Sequence, residues 1–186
     1  RALKMAALDA VALPVGDQVT LVAAAVFDGE TLTSEVAWRE FFQPGGWEKV
    51  PTHVGSLVDE GFTFVVYEAE SLMKTLSEAG SVTLAMLLEG LKRKERLIEV
   101  LPLAKSVLGV EMAPLESLVE AIGWEKRIPL DDVRKELERS ISLLQERREA
   151  LWPRFTKYLR GRAEDYVRDN AELLLKLALA LKRLEK

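Results

Sequence analysis

The sequence predicts an α/β domain: a mixed sheet whose first three strands are antiparallel, flanked by helices. Three observations predict it. Residues 5–42 carry short apolar runs separated by turn signals, residues 62–67 form a β-branched and aromatic run leading straight into a helical pattern, and helical periodicity dominates from residue 97 onward. Antiparallel strands followed by a strand-helix crossover make a mixed sheet with helices packed on it.

The elements follow in order. Residues 5–13 and 19–27 are apolar strands joined through Pro14-Val15-Gly16-Asp17, a hairpin signal. Asp28-Gly29-Glu30 is a second turn, and residues 35–42 are a third strand stopped by Pro44-Gly45-Gly46. That glycine pair reads as a turn rather than a phosphate cradle. Residues 62–67 are a fourth strand, and residues 69–78 a helix stopped by Gly80. Further helices are expected over 97–108, 114–122, 130–151 and 162–184. In the 130–151 segment Leu130, Val133, Leu137, Ile141, Leu144 and Leu151 recur at three- and four-residue steps, with Arg148 interrupting and charged residues between. Such a helix either packs on its own domain or docks a protein partner or a second copy of the chain. Pro153 kinks or restarts it.

The chain has 186 residues, net charge -4, no cysteine and one histidine, His53. That length suits one domain spanning 1–186. Disulfide scaffolds, thiolate zinc sites, cysteine nucleophiles and multi-histidine centres are excluded. The apolar run at residues 21–27 is far shorter than the ~20 residues that span a bilayer, no signal-peptide pattern opens the sequence, and a start at Arg1 suggests a piece cut from a longer chain. One Asn (Asn170), three Gln and no Cys is the depletion expected of a thermophile. A cytoplasmic protein with no membrane partner is therefore expected. Residues 126–186 hold 16 Lys/Arg against 11 Asp/Glu, a net of +5 on an otherwise acidic body.

No Walker loop, GxGxxG, HExxH or GxSxG motif occurs. The order of elements nevertheless resembles the DnaQ-like (DEDD) 3'–5' exonucleases, particularly their histidine-containing branch. Leu8-Asp9-Ala10-Val11 lies where that family has Asp-x-Glu on a strand. Residues 22–30 and Phe42-Gln43-Pro44 are similar to its second strand, acidic turn and third strand. Val65-Val66-Tyr67-Glu68-Ala69 resembles Val-x-His-Asn-Ala, Leu101-Pro102-Leu103-Ala104-Lys105 resembles Thr-Leu-x-Leu-Ala-Arg, and Leu115-Glu116-Ser117-Leu118 resembles Leu-x-x-Leu. Gly161-Arg162-Ala163-Glu164-Asp165-Tyr166 lies in the place of His-Arg-Ala-x-x-Asp. The resemblance implies a ribonuclease-H-like fold, with residues 126–160 as a helical insertion and the helix before Phe62 short or missing.

At the reactive positions the match fails. Such nucleases hold two divalent metals on four carboxylates. Only Asp9 stands at a matching position. The partner glutamate is Val11, the second-motif aspartate falls at Leu72, the general-base histidine at Gly161 and the last aspartate at Tyr166. Aligned to the tyrosine branch, Tyr166 would match its tyrosine and the following aspartate would be Asn170. Two such ions ~4 Å apart repel by about 17 kcal/mol at an effective dielectric of about 20, more than one carboxylate offsets. Val11 and Leu72 are expected to close the former metal pocket.

The resemblance thus implies a catalytically inactive domain acting in binding or assembly in DNA replication or repair, with no cofactor. A working 3'–5' exonuclease is the alternative; it would need Mg²⁺ or Mn²⁺ beside Asp9 and a rearranged cluster from Asp17, Asp28, Glu30, Glu68, Glu70, Asp165 and Asp169. Asp9 would otherwise accept hydrogen bonds at the sheet edge. His53 reads as a base or as a solvated loop side chain. A third reading is a nucleic-acid-binding module over 147–168, where Arg147, Arg148, Arg154, Lys157, Arg160, Arg162 and Arg168 interleave with Trp152, Phe155 and Tyr158. Against it, side chains three apart share one helix face, as core residues do.

Overall fold

The structure, a computed structural model, describes residues 4–15, 19–40, 47–109, 111, 115–121, 135 and 152–185. Its strands are β1 (Met5–Val15), β2 (Val19–Phe27), β3 (Leu32–Glu40), β4 (Thr63–Val66) and β5 (Leu97–Glu99). Its helices are α1 (Lys49–Asp59), α2 (Ala69–Glu78), α3 (Val82–Arg93), α4 (Val100–Leu108), α5 (Leu115–Ala121) and α6 (Trp152–Leu184). The strands form one mixed sheet in the order β3-β2-β1-β4-β5. β2 runs antiparallel to β1 and β3, whereas β4 runs parallel to β1 and β5 parallel to β4. This is the α/β architecture expected, with three antiparallel strands first and helices on both faces.

Strand alternation assigns each face its core. Ala6, Leu8, Val26, Phe64 and Val66 point to one side, where Val50 and Val54 of α1, Leu72 and Leu76 of α2, and Leu84 and Leu88 of α3 close over them. Met5, Ala7 and Val65 point to the other, against Val100 and Ala104 of α4, Leu118 of α5, and Leu174, Leu177 and Leu181 of α6. Further along that second face, Leu13, Leu21, Ala23 and Ala25 meet Ala163, Val167 and Ala171 of α6. Each fully buried large side chain stabilises the fold by about 1.5–3 kcal/mol.

Several elements differ from the sequence-based expectation, each for a physical reason. A helix does precede β4: the Glu35 carboxylate, projecting from β3, accepts the backbone N–H groups of Glu48 and Val50 and so caps α1 from a distance in sequence. Residues 97–99 are a short strand, not the start of a helix, because their backbone pairs with β4. α3 fills a stretch for which no helix was specified. The third strand starts at Leu32, immediately after the tight turn in which Asp28 Oδ1 accepts the N–H groups of Glu30 and Thr31 around Gly29 (φ 95°). The last helix begins at Trp152 rather than 162, with Pro153 in its first turn, where no intrahelical donor is lost. The helix expected at 130–151 lies outside the described residues apart from Lys135, as do residues 126–134 and 136–151 of the expected insertion. Among the described residues no helix is long and apolar enough to cross a membrane.

Gly80 follows α2 with φ 78°, and a Cβ built on it would collide with the Arg39 guanidinium from β3. Gly80→Ala should therefore combine backbone strain with displacement of Arg39 and destabilise the protein by about 1–3 kcal/mol in urea unfolding. A change under 0.5 kcal/mol, roughly the surface-substitution level, would show that Arg39 moves aside freely.

Candidate functional site

Asp9 lies on β1 opposite Ala25 of β2, two residues past Ala7, where the pairing with β4 ends, so only β2 borders it within the sheet. Its side chain falls on the α6 face with the odd-numbered residues of β1. Facing it on α6 is Asn170, the sole asparagine of the sequence and 3% exposed. Asn170 Nδ2 donates to Asp9 Oδ2 at 2.7 Å. An ionised carboxylate only accepts, so the amide must present its NH₂ to Asp9 and turn its oxygen away. That oxygen, Asn170 Oδ1, is buried and finds no hydrogen-bond partner among the described residues.

The other expected site residues are distributed differently. Val11 and Tyr166 pack against the apolar cluster beneath α6. Leu72 is buried in the cluster on the opposite face of the sheet, with α1 and α3. Val11 and Leu72 therefore do not close one pocket together. Gly161 is an interior residue of α6, and a Cβ there would meet nothing within 4 Å.

His53 is on a helix and mostly buried, not on a solvated loop. It is on α1, with 15% of its side chain exposed; its Nε2 lies 3.0 Å from Asp28 Oδ2 and its Nδ1 2.8 Å from Thr33 Oγ1. Burial alone would push the Asp28 carboxyl up. The N–H groups of Thr31 and Glu30, the hydrogen bond from His53 and its charge outweigh that and hold it below its ordinary value. With Asp28 ionised, Nε2 carries a proton and donates to it, while Nδ1 shares a hydrogen bond with the Thr33 hydroxyl. This chain ties the β2–β3 turn to α1 on the face away from Asp9, so His53 cannot serve Asp9 as a base.

At the carboxyl ends of the parallel strands the acids are also engaged. Glu99 Oε1 accepts the Ala69 N–H at 2.8 Å, filling the α2 N-terminus from β5, and Glu68 accepts from the Ser71 hydroxyl. Burial first, then the negative charge of Glu68, pushes the Tyr67 phenol above its usual value. Glu70 is exposed. Among the described residues no group of three or more His, Asp or Glu side chains is placed to hold a metal ion. Asp9 Oδ2 accepts the Asn170 N–H, so a metal bound through that oxygen would have to displace the amide.

Of the basic residues, Arg160 donates to the Val36 carbonyl of β3 at 3.1 Å, and Arg168 donates to Ser34 Oγ, which in turn donates to Glu164. Arg162 is half-buried. Arg147 and Arg148, and the side chains of Arg154 and Lys157, lie outside the described residues. Asp17 is likewise outside them, Asp169 is buried, and Glu30 and Asp165 are exposed. No protein-family model, curated protein or solved structure matches this chain.

Two expectations follow. Asn170→Ala removes the amide donor to Asp9 Oδ2 and should cost about 1–3 kcal/mol of stability. In an Asp9→Ala background the same change should cost less, and equal costs in both backgrounds would show that the pair is not coupled. Because the Asp28 carboxyl is held low, its contribution is complete above ~4, the unfolded value, and is lost as pH falls through the lower folded value. Asp28→Asn should flatten the loss of melting temperature below that pH, and an unchanged acid profile would assign the acid sensitivity elsewhere.

Proposed function

We propose that this chain is a ribonuclease-H-like domain, related to the DnaQ-like exonucleases, that does not cut nucleic acid and acts by binding or assembly in DNA replication or repair. One observation carries the reading: Asn170 donates an amide N–H into Asp9, the one carboxylate left at a family metal position. The tyrosine-branch alignment puts an aspartate where Asn170 stands. Two carboxylates facing one another need a cation or a shared proton between them. Replacing one by an amide removes the repulsion between two acids, and a buried hydrogen bond to Asp9 takes the place of the metal. The order of elements supports the fold side of the reading, with three antiparallel strands, a parallel crossover to β4, and a long final helix delivering the last site residue. The binding role rests on the net +5 of residues 126–186, since such asymmetry serves association more than folding.

A rearranged exonuclease would need further acids beside Asp9. Asp28 is instead bound to His53, Glu99 to the α2 N-terminus and Glu68 to Ser71.

The purified chain should show no Mg²⁺- or Mn²⁺-dependent degradation of single-stranded DNA or RNA. Degradation that disappears in Asp9→Ala would overturn the reading in favour of a working nuclease. Asn170→Asp should create a cation requirement: its melting temperature should fall in chelator and recover with Mn²⁺, while the parent protein responds to neither. A parent protein stabilised by Mn²⁺ through Asp9 would contradict the proposal directly.

A further inference from the structure

We propose that the outer face of α3 is an interface between two copies of this chain. Among the described residues three large apolar side chains are left exposed, and two of them, Val82 (56% exposed) and Met86 (66%), lie one turn apart on α3. The helix buries Leu84, Ala85, Leu88 and Leu91, and at about 100° per residue the direction opposite that set falls between Met86 and Gly90. Glycine is the poorest helix former apart from proline. A Cβ at Gly90 would meet no atom of the described residues within 4 Å, so the glycine leaves a shallow notch beside Met86 into which a second molecule can pack.

A second copy fits this face. Two α3 helices packed antiparallel about a two-fold axis between Met86 and Gly90 set each Met86 over the other's Gly90. The same knob-and-notch contact then forms twice, as an isologous interface requires. An unbranched thioether adapts well to such a notch. The charges favour the same direction. Lys92, Arg93 and Lys94 are exposed at the C-terminal end of α3, and Glu78 is exposed three residues before its N-cap, Ser81. Antiparallel packing brings the basic end of one helix toward Glu78 of the other and opposes the helix dipoles, whereas parallel packing stacks basic end on basic end. Glu89, also exposed on this side, has Arg93 at i+4 to offset it.

Sedimentation equilibrium and light scattering of the full chain over a concentration series test the proposal. The parent protein should associate to a dimer, while Met86→Asp and Gly90→Gln should each be monomeric with an unchanged far-ultraviolet circular dichroism spectrum. Glu78→Lys should weaken the dimer, and adding Arg93→Glu and Lys94→Glu to it should restore association. This charge reversal carries the test if either interface variant fails to fold. A parent protein that stays monomeric overturns the proposal, as does a dimer that survives both Met86→Asp and Gly90→Gln. A dimer split by Leu137→Asp but not by the α3 variants would place self-association on residues 130–151 and also overturn it. So would a monomer in which Met86→Asp lowers the melting temperature, since its own chain would then cover α3.

Discussion

The close approach of α6 to β1 and β2 is the constraint on which the rest of the structure depends. It is made possible by side-chain size. Ala23 and Ala25 of β2 are fully buried against Ala163, Val167 and Ala171 of the helix, so small residues meet small residues across the layer. Interiors are packed at crystal-like density, and a larger residue on either side would hold the layers apart or be forced off its rotamer. With the helix held this near the sheet, a short side chain such as Asn170 spans the gap to Asp9. The polar pair is thus a product of the alanine seam as much as of its own chemistry.

β1 divides the molecule's work. Its even-numbered residues feed the core beneath α1, α2 and α3, and its odd-numbered ones face α4 and α6. Asp9 is consequently isolated from every polar group on the α1 side, including the one histidine. The two polar arrangements serve different ends. Asp28, His53 and Thr33 fasten a turn to a helix near the rim of the sheet, with part of each side chain in water. Asp9 and Asn170 join the central strand to the longest helix, where the amide oxygen is buried and has no partner among the described residues. A buried group left so is costly, and it marks this as the place where packing was satisfied ahead of hydrogen bonding.

The parts of the fold that were legible in the sequence are those held by local signals. Alternation and turn residues located β1, β2 and β4, and helical periodicity with Gly80 beyond it located α2 at Ala69–Glu78. α1 was not legible because its support is remote. Pro51 and Gly55 interrupt its pattern, and its cap is the Glu35 carboxylate from a strand. β5 was missed because three residues carry too little alternation to outweigh the helix that follows. At the site, Asp9 and Asn170 were visible as residue types, but their meeting was not, since 161 positions separate them and only the packing of α6 closes that distance. His53 was misplaced because a single histidine carries no periodicity, and its partners come from the neighbouring hairpin.

The alanine seam also orders events during synthesis. The strands that carry Leu13, Leu21, Ala23 and Ala25 leave the ribosome long before α6, whose residues are the ones that cover them. At about 5–20 residues per second, roughly 7–30 s pass between Phe27 and Asn170. For that time one face of the nascent sheet is an apolar surface of open, β-rich chain beside the unpaired edge of β3, the kind of template on which strands from other molecules add. The growing chain is therefore most in need of a chaperone in the interval before its longest helix exists, even though its first three strands can already pair.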